Sequence, residues 1–304
     1  MEIDSNNSDV TLDEKERGLT IPQPKSFLLP FSLLASVFLV LIFGLPVVVT
    51  GAVLDLSWAT LWRWPALLLA PLIYTVVFVV VAGGLSLPFK SGVVEGKFPR
   101  DLRNPIYRKR RLHGLCWTAV YYFKPLYFIC LSVPSLKWLL FRLFGYRGNL
   151  KFTIYPDSWV RDLPLLDIGE GAYISNRATL ATNMALSNGT IIVGGVKLGK
   201  NSVVGHLSML GTWSELEEGA EMGVGSAIGL RCKLRRDSLV QPCCAINHQT
   251  TIGVKAVVGS MSYVGTRTLV GDGINIAPGT LVPSRQRITT QTEADQYISA
   301  GKRL

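Results

Sequence analysis

The stretch LGKNSVVGHLSMLGTWSELEEGAEMGVGSAI, residues 198–228, places an aliphatic side chain at every sixth position: Leu198, Val204, Leu210, Leu216, Met222 and Ile228. The same step runs back to Ile168 and on to Val282, giving twenty consecutive aliphatic positions, while only 16 of the other 100 residues between 168 and 287 are Ile, Leu, Val or Met. The contrast makes this a repeat and not general hydrophobicity. The fourth residue after each aliphatic is Ala, Ser, Thr or Cys in 16 of the twenty hexads, and the residue just after the aliphatic is Gly in ten.

A period of six fits neither a 3.6-residue helix nor a plain alternating strand. It suits a short strand and a corner, with one large apolar and one small side chain pointing inward and the Gly taking the left-handed backbone conformation at the turn. Three hexads close a triangular coil, so the predicted fold is mostly β: a left-handed parallel β-helix of six to seven coils. The register is expected to run unbroken from Ile168 to Val282, with no long insertion to supply a substrate loop.

Working outward, the chain divides by composition. Residues 1–26 carry six acids and three bases without apolar periodicity and read as a disordered tail. Residues 27–89 read as a two-helix transmembrane hairpin: Phe27 to Val49 has no charge, and a second uncharged run spans Trp64 to Phe89. Trp58, Trp62 and Trp64 fit an interfacial aromatic belt. The basic juxtamembrane segment is residues 90–149. Residues 90–151 carry 13 Lys or Arg against Glu95 and Asp101, a net +11 that exceeds the +10 of the whole chain. Positive charge stays inside, so both termini and the β-helix domain (150–288) are expected to be cytoplasmic. RKRR at Arg108–Arg111 then reads as a contact with anionic lipid headgroups and not with nucleic acid. The aromatic stretch Leu112–Tyr146, broken at Pro125 and Pro134, reads as interfacial helices that orient the β-helix or, alternatively, as a groove for an extended substrate. Residues 289–304 form a C-terminal tail that includes a capping helix over Thr292–Gly301.

The hexads of residues 168–288 resemble the hexapeptide-repeat acyltransferases. Two hydrophobic spans, a basic linker, LLFRLFGYRGN, DLPLLDIGEGAYISNRATLATN and VKLGKNSVVG together resemble something narrower. They look like one membrane-plus-β-helix unit of the terminal region of poly-lysine-synthetase-type nonribosomal peptide synthetases. The resemblance implies a homotrimer with active sites between neighbouring prisms. It implies a thioester donor, acyl-CoA or a carrier protein of a synthetase partner, and a His general base following a stretch like TLAT. At that position this chain has Asn183, which accepts no proton.

The histidines are His113 in the basic linker and His206 and His248, each two places after an inward aliphatic. The last two lie seven hexads apart, which is two coils plus one face, so they form no single constellation within one subunit. His206, His248 and Asn183 are the candidate catalytic residues. Arg231, Lys233, Arg235 and Arg236 form a candidate cationic edge, with Arg267 two coils on, suited to coenzyme A phosphates or anionic lipid. Glu215, Glu217, Glu218 and Glu221 make an acidic corner that a symmetric neighbour would use. No metal is expected, since the histidines are too few and scattered for a zinc centre and the five cysteines lack ligand spacing. Cys232 and Cys244 occupy small inward positions and read as core, and no Ser or Cys has the paired base a nucleophile needs.

Overall fold

In the computed structural model of the chain, which describes residues 25–57 and 63–297, the hexads form the expected left-handed parallel β-helix. Its faces are three seven-stranded parallel sheets. Face I runs from Thr153–Ile154 to Asn275–Ile276, face II from Trp159–Val160 to Leu281–Val282, and face III from Leu166–Ile168 to Arg287–Ile288. Strands pair with their equivalents one coil away, as Val203 with Glu221 and Val204 with Met222, so a regular coil consumes 18 residues.

The inward columns explain the hexad. Val204, Leu210, Leu216, Met222 and Ile228 are wholly buried along the prism axis. The small residues between them are buried too, and their side chains donate to a carbonyl of the next coil: Ser208 to Gly223 (2.7 Å), Ser214 to Gly229 (2.7 Å), Thr250 to Gly265 (2.9 Å). A small hydroxyl therefore fills the corner and satisfies a buried acceptor at once. Cys232 and Cys244 occupy the same column as core residues, Cys232 with its thiol 2.9 Å from the Asn247 carbonyl oxygen. No disulfide forms.

Two expectations change. Left-handed backbone falls not at the hexad glycine but two residues later, at Asn201, Leu207, Trp213, Arg231, Gln249 and Arg267. The glycines serve close approach between coils instead: a Cβ on Gly211 would lie 2.6 Å from the Gly229 carbonyl oxygen. The ladder also contains an insertion. Leu180 ends a face II strand and the next face III strand is Val196–Leu198, so residues between them leave the prism as an antiparallel hairpin, Asn183–Ala185 with Thr190–Val193. Leu186 and Ile192 are hairpin residues and not rungs. The insertion adds two whole hexads, which is why the period passes through it unbroken. The prism also begins earlier than Ile168, at Ile154 and Val160, and ends later, at Ile288.

Before the prism stand α1 (Lys25–Ser57) and α2 (Arg63–Ser86). Leu28–Leu56 and Trp64–Gly92 are long and apolar enough to cross a membrane, with mean hydropathy 2.7 and 2.5. They pack through Phe38, Ile42, Phe78 and Val79 and leave Leu29, Val40, Val48 and Leu68 on their outer surface. Trp58, Trp62 and residues 1–24 lie outside the described residues. A 3-10 turn at Leu87–Gly92 leads to the strand Gly96–Pro99, which adds antiparallel to the hairpin.

Then come α3 (Pro105–Tyr122), α4 (Lys124–Ser132) and α5 (Pro134–Leu143), the last two bent by 113° at Val133, where Pro134 cannot continue the helix. Most of their aromatic side chains turn inward and not toward an interface. Trp117, Tyr127, Phe141 and Phe144 are buried, and the Trp117 indole donates to the Val160 carbonyl (2.6 Å), so these helices plug the open first coil. Tyr122, Phe128 and Trp138 remain exposed. At the far end α6 (Gln291–Asp295), started by a Thr290–Glu293 capping box, covers the last coil. It is shorter than expected, and residues 298–301 lie outside the described residues.

Coil contact at the hexad glycine has a measurable cost. Gly211→Ala is expected to lower stability by about 1–3 kcal/mol in thermal unfolding, because the new methyl must displace backbone of the next coil.

Candidate functional site

Asn183 opens the hairpin, and its side chain is already engaged. Its Oδ1 accepts from Arg110 Nη2 (3.0 Å), and the same nitrogen forms a buried ion pair with Asp162. Asp162 Oδ2 also accepts from Thr182 Oγ1 (2.7 Å). Arg110 and Asp162 are each about 2% exposed or less at the side chain. Burial opposes ionisation of the carboxyl, but Arg161, Arg110 and the hydrogen bonds outweigh it and hold Asp162 below the usual carboxylate range. The position that the resemblance assigns to a base is thus part of the joint between α3, the first coil and the hairpin.

The corner between faces II and III carries a groove of about 340 Å³. Trp213, Arg231, Gln249, Arg267 and Arg285 occupy one corner position on successive coils, all with positive φ. The Arg231 guanidinium stacks on the Trp213 ring at 4.7 Å, and Arg267 Nε donates to Gln249 Oε1 (2.7 Å). His248 lies beside them with Leu230 and Thr266. Its Nδ1 accepts the Leu230 backbone N–H (2.9 Å). With Nδ1 used as an acceptor, the ring's N–H lies on Nε2, where it is available as a donor to a ligand in the groove. The groove's upper end is tied to the linker, since Glu95 accepts from Trp213 Nε1 (3.1 Å) and from the Gly195 backbone (2.8 Å).

His206 stands on the other edge of face II, the corner with face I, in a more open hollow lined by Tyr173, Ser175, Glu221 and Gln241. Among the described residues neither of its ring nitrogens has a hydrogen-bond partner. His206 and His248 are therefore on different corners, as the hexad count implies. Of the cationic set, Arg231 and Arg267 share the groove. Lys233 and Arg235 lie on face III, with Lys233 Nζ 2.9 Å from Glu217 and 3.3 Å from Glu215, so part of the acidic corner is neutralised within the same chain. Arg236 sits at the third corner with Asp237 and Lys255. Among the described residues no cluster of His, Cys, Asp or Glu could hold a metal ion.

No protein-family model matches the chain, and no curated protein does. Among 28 matching solved chains are two acetyltransferases. One is a mutant of perosamine N-acetyltransferase from Caulobacter crescentus in complex with CoA and GDP-perosamine: 16% identity, 42% of this chain, 53% of that chain, TM-score 0.36. The other is the acetyltransferase domain of PglB from Neisseria gonorrhoeae in complex with acetyl coenzyme A: 18% identity, 50% of this chain, 62% of that chain, TM-score 0.19. The chain spans just over half to about three-fifths of the length of these two.

Sequence reading missed Trp213, Arg285 and Asp162, and it assigned Arg110 with the rest of RKRR to lipid headgroups, whereas Arg110 is buried against Asp162. The first two were accessible, because stepping 18 residues from Arg231 and Arg267 reaches them. Arg110 and Asp162 are 52 residues apart and no local pattern joins them.

His113 is 1% exposed, neither ring nitrogen makes a hydrogen bond of normal geometry among the described residues, and burial pushes its pKa down to about 4 against a weaker opposing effect of the Phe144 backbone. The unfolded chain then binds a proton that the folded chain refuses. Stability is complete above about pH 6.5 and lost as pH falls from there toward 4, by about 3 kcal/mol at most. The melting temperature should fall over that window, and His113→Phe should flatten the profile.

Proposed function

We propose that this protein is a membrane-anchored acyltransferase-like enzyme. It moves an acyl or aminoacyl group from a thioester donor, acyl-CoA or a carrier-protein thioester, to an amine or hydroxyl at the cytoplasmic membrane face. The observation that carries this reading is the groove between faces II and III. Guanidiniums of Arg231, Arg267 and Arg285 on successive corner positions, with the Nε2–H of His248, suit the phosphates of an extended ligand, and Trp213 with Leu230 suits its apolar part. The +11 of residues 90–151 supports an anchor with both termini and the prism inside, facing anionic headgroups.

A base must come from elsewhere, and His206 has an imidazole with no hydrogen bond among the described residues. The outward column of face II between the two corners, Met209, Ala227, Ala245, Tyr263 and Leu281, carries no charge. Burying that face against a second copy, as in a homotrimer, would set the His206 corner of one prism toward the groove of its neighbour. The proton of the acceptor amine or hydroxyl would pass to His206 as the acceptor attacks the thioester carbonyl, and the thiol would leave.

A second reading is a non-catalytic prism that tethers a carrier protein or synthetase partner to the membrane. It is favoured by Asn183, which accepts no proton and is held by Arg110.

The test uses full-length protein in detergent, with calorimetry of CoA and acyl-CoA binding and turnover on an amine panel. The enzyme reading expects binding that weakens about tenfold or more in Arg231→Ala/Arg267→Ala. It expects turnover that falls by about 10²–10⁴ in His206→Ala. Binding without turnover supports the tether, and absence of thioester binding contradicts the enzyme.

A further inference from the structure

The Asp162 joint contains more positive charge than it neutralises. Asp162 Oδ2 is taken by Arg110 and Thr182, yet a second guanidinium, Arg161, lies beside it with Nε 3.6 Å away, too far for a hydrogen bond. The Arg161 side chain is only 21% exposed, and no hydrogen bond to its guanidinium occurs among the described residues. A guanidinium keeps its charge and five N–H donors under all ordinary conditions, and Arg161, mostly enclosed and without a protein acceptor among the described residues, has donors that reach solvent and are open to a ligand. Arg110 and Arg111 are close enough to repel it. Two guanidiniums lie against one carboxylate.

The chain makes room for this arrangement. Gly114 lies in the interior of α3, where glycine costs about 1 kcal/mol against alanine, and a Cβ there would come 2.7 Å from Arg161 Nη2. The helix thus gives up stability where the guanidinium crosses it. Arg111 and Tyr107 sit one and two turns earlier on the same helix, and both interact with Arg161. The cluster also has a defined height. Gly92 ends the second candidate span, and a Cβ on it would meet the Arg110 backbone nitrogen at 2.7 Å, while Lys109 Nζ bonds Ser91 Oγ at 3.2 Å.

We infer that Arg161, with Arg111 and Tyr107, forms a binding site for one phosphate group at the level where α2 leaves the apolar layer. A phosphate supplies several acceptor oxygens to a planar fork of N–H donors and cancels the surplus charge. Two sources share this chemistry: the phosphodiester of an anionic lipid headgroup and free inorganic phosphate. The site itself rests on the Arg161 geometry alone, and only the lipid source rests on the proposed membrane anchoring.

The experiment titrates full-length protein in a neutral alkyl-glycoside detergent with inorganic phosphate in one arm and short-chain phosphatidylglycerol in the other. It follows the melting temperature and counts retained lipid by native mass spectrometry. Saturable stabilisation in either arm is expected, weakened about tenfold or more in Arg161→Gln. Gly114→Ala, which keeps the charge but pushes the guanidinium aside, should weaken the same response and serves as the second variant if Arg161→Gln folds poorly. Stabilisation by phosphate alone keeps the site and removes the lipid source, and stabilisation by the lipid assigns the headgroup. No stabilisation in either arm, or an unchanged response in both variants, overturns the inference.

Discussion

A buried ion pair, Arg110 with Asp162, joins the two halves of this molecule. Charges so deeply enclosed are costly unless further hydrogen bonds support them, and here Thr182 bonds Asp162 Oδ2 and Asn183 bonds Arg110 Nη2, while Arg110 Nε and Asp162 Oδ1 have no partner among the described residues. Those four residues come from α3, from the first coil and from the start of the hairpin. Each of the three elements is therefore fixed relative to the other two. The hydrophobic core follows the same route, from Phe38 and Phe78 in the apolar helices through Trp117 and Phe144 to Ile168 and along the prism to Ile288. Anchor and prism behave as one body because both polar and apolar contacts are continuous across the joint.

The joint also decides what the hairpin can do. Asn183 is held by Arg110, and ten residues later Val193 pairs with Gly96 of the strand that follows α2. From that strand Glu95 reaches Gly195 and Trp213, the first residue of the cationic corner. A continuous set of hydrogen bonds thus leads from the end of the second apolar helix to the groove. The prism is aligned so that the groove begins near the end that carries the apolar helices and runs away from it.

The repeat was legible because burial acts on every coil alike: eighteen of the twenty periodic aliphatics are rungs of the prism, a direct record of inward-facing positions. The hairpin was hidden for an arithmetical reason, since an insertion of two hexads returns the chain to register with Leu186 and Ile192 still apolar. The glycine role was misjudged because sequence shows where glycine is needed but not whether close approach or backbone angle demands it. At Gly211 it is approach, while the left-handed corners accept Trp213 and Arg231. Of the candidate site, Arg231 and Arg267, two coils apart, line one groove. Lys233 and Arg235 were grouped with them by proximity in sequence, although the chain turns a corner at Arg231 and carries Lys233 and Arg235 onto face III. The Arg110–Asp162 pair is a tertiary contact with no sequence signature.

If the pair holds anchor and prism together, cutting it should loosen both sides and leave the distant coils alone. Hydrogen–deuterium exchange of the full chain in lipid nanodiscs, comparing wild type with Arg110→Met, measures this directly. Faster exchange in residues 153–180 and in the hairpin 183–193, with coils beyond residue 215 unchanged, is the expected result. Unchanged exchange around Asp162 and Asn183 would contradict the idea that this buried pair fixes the prism to its anchor.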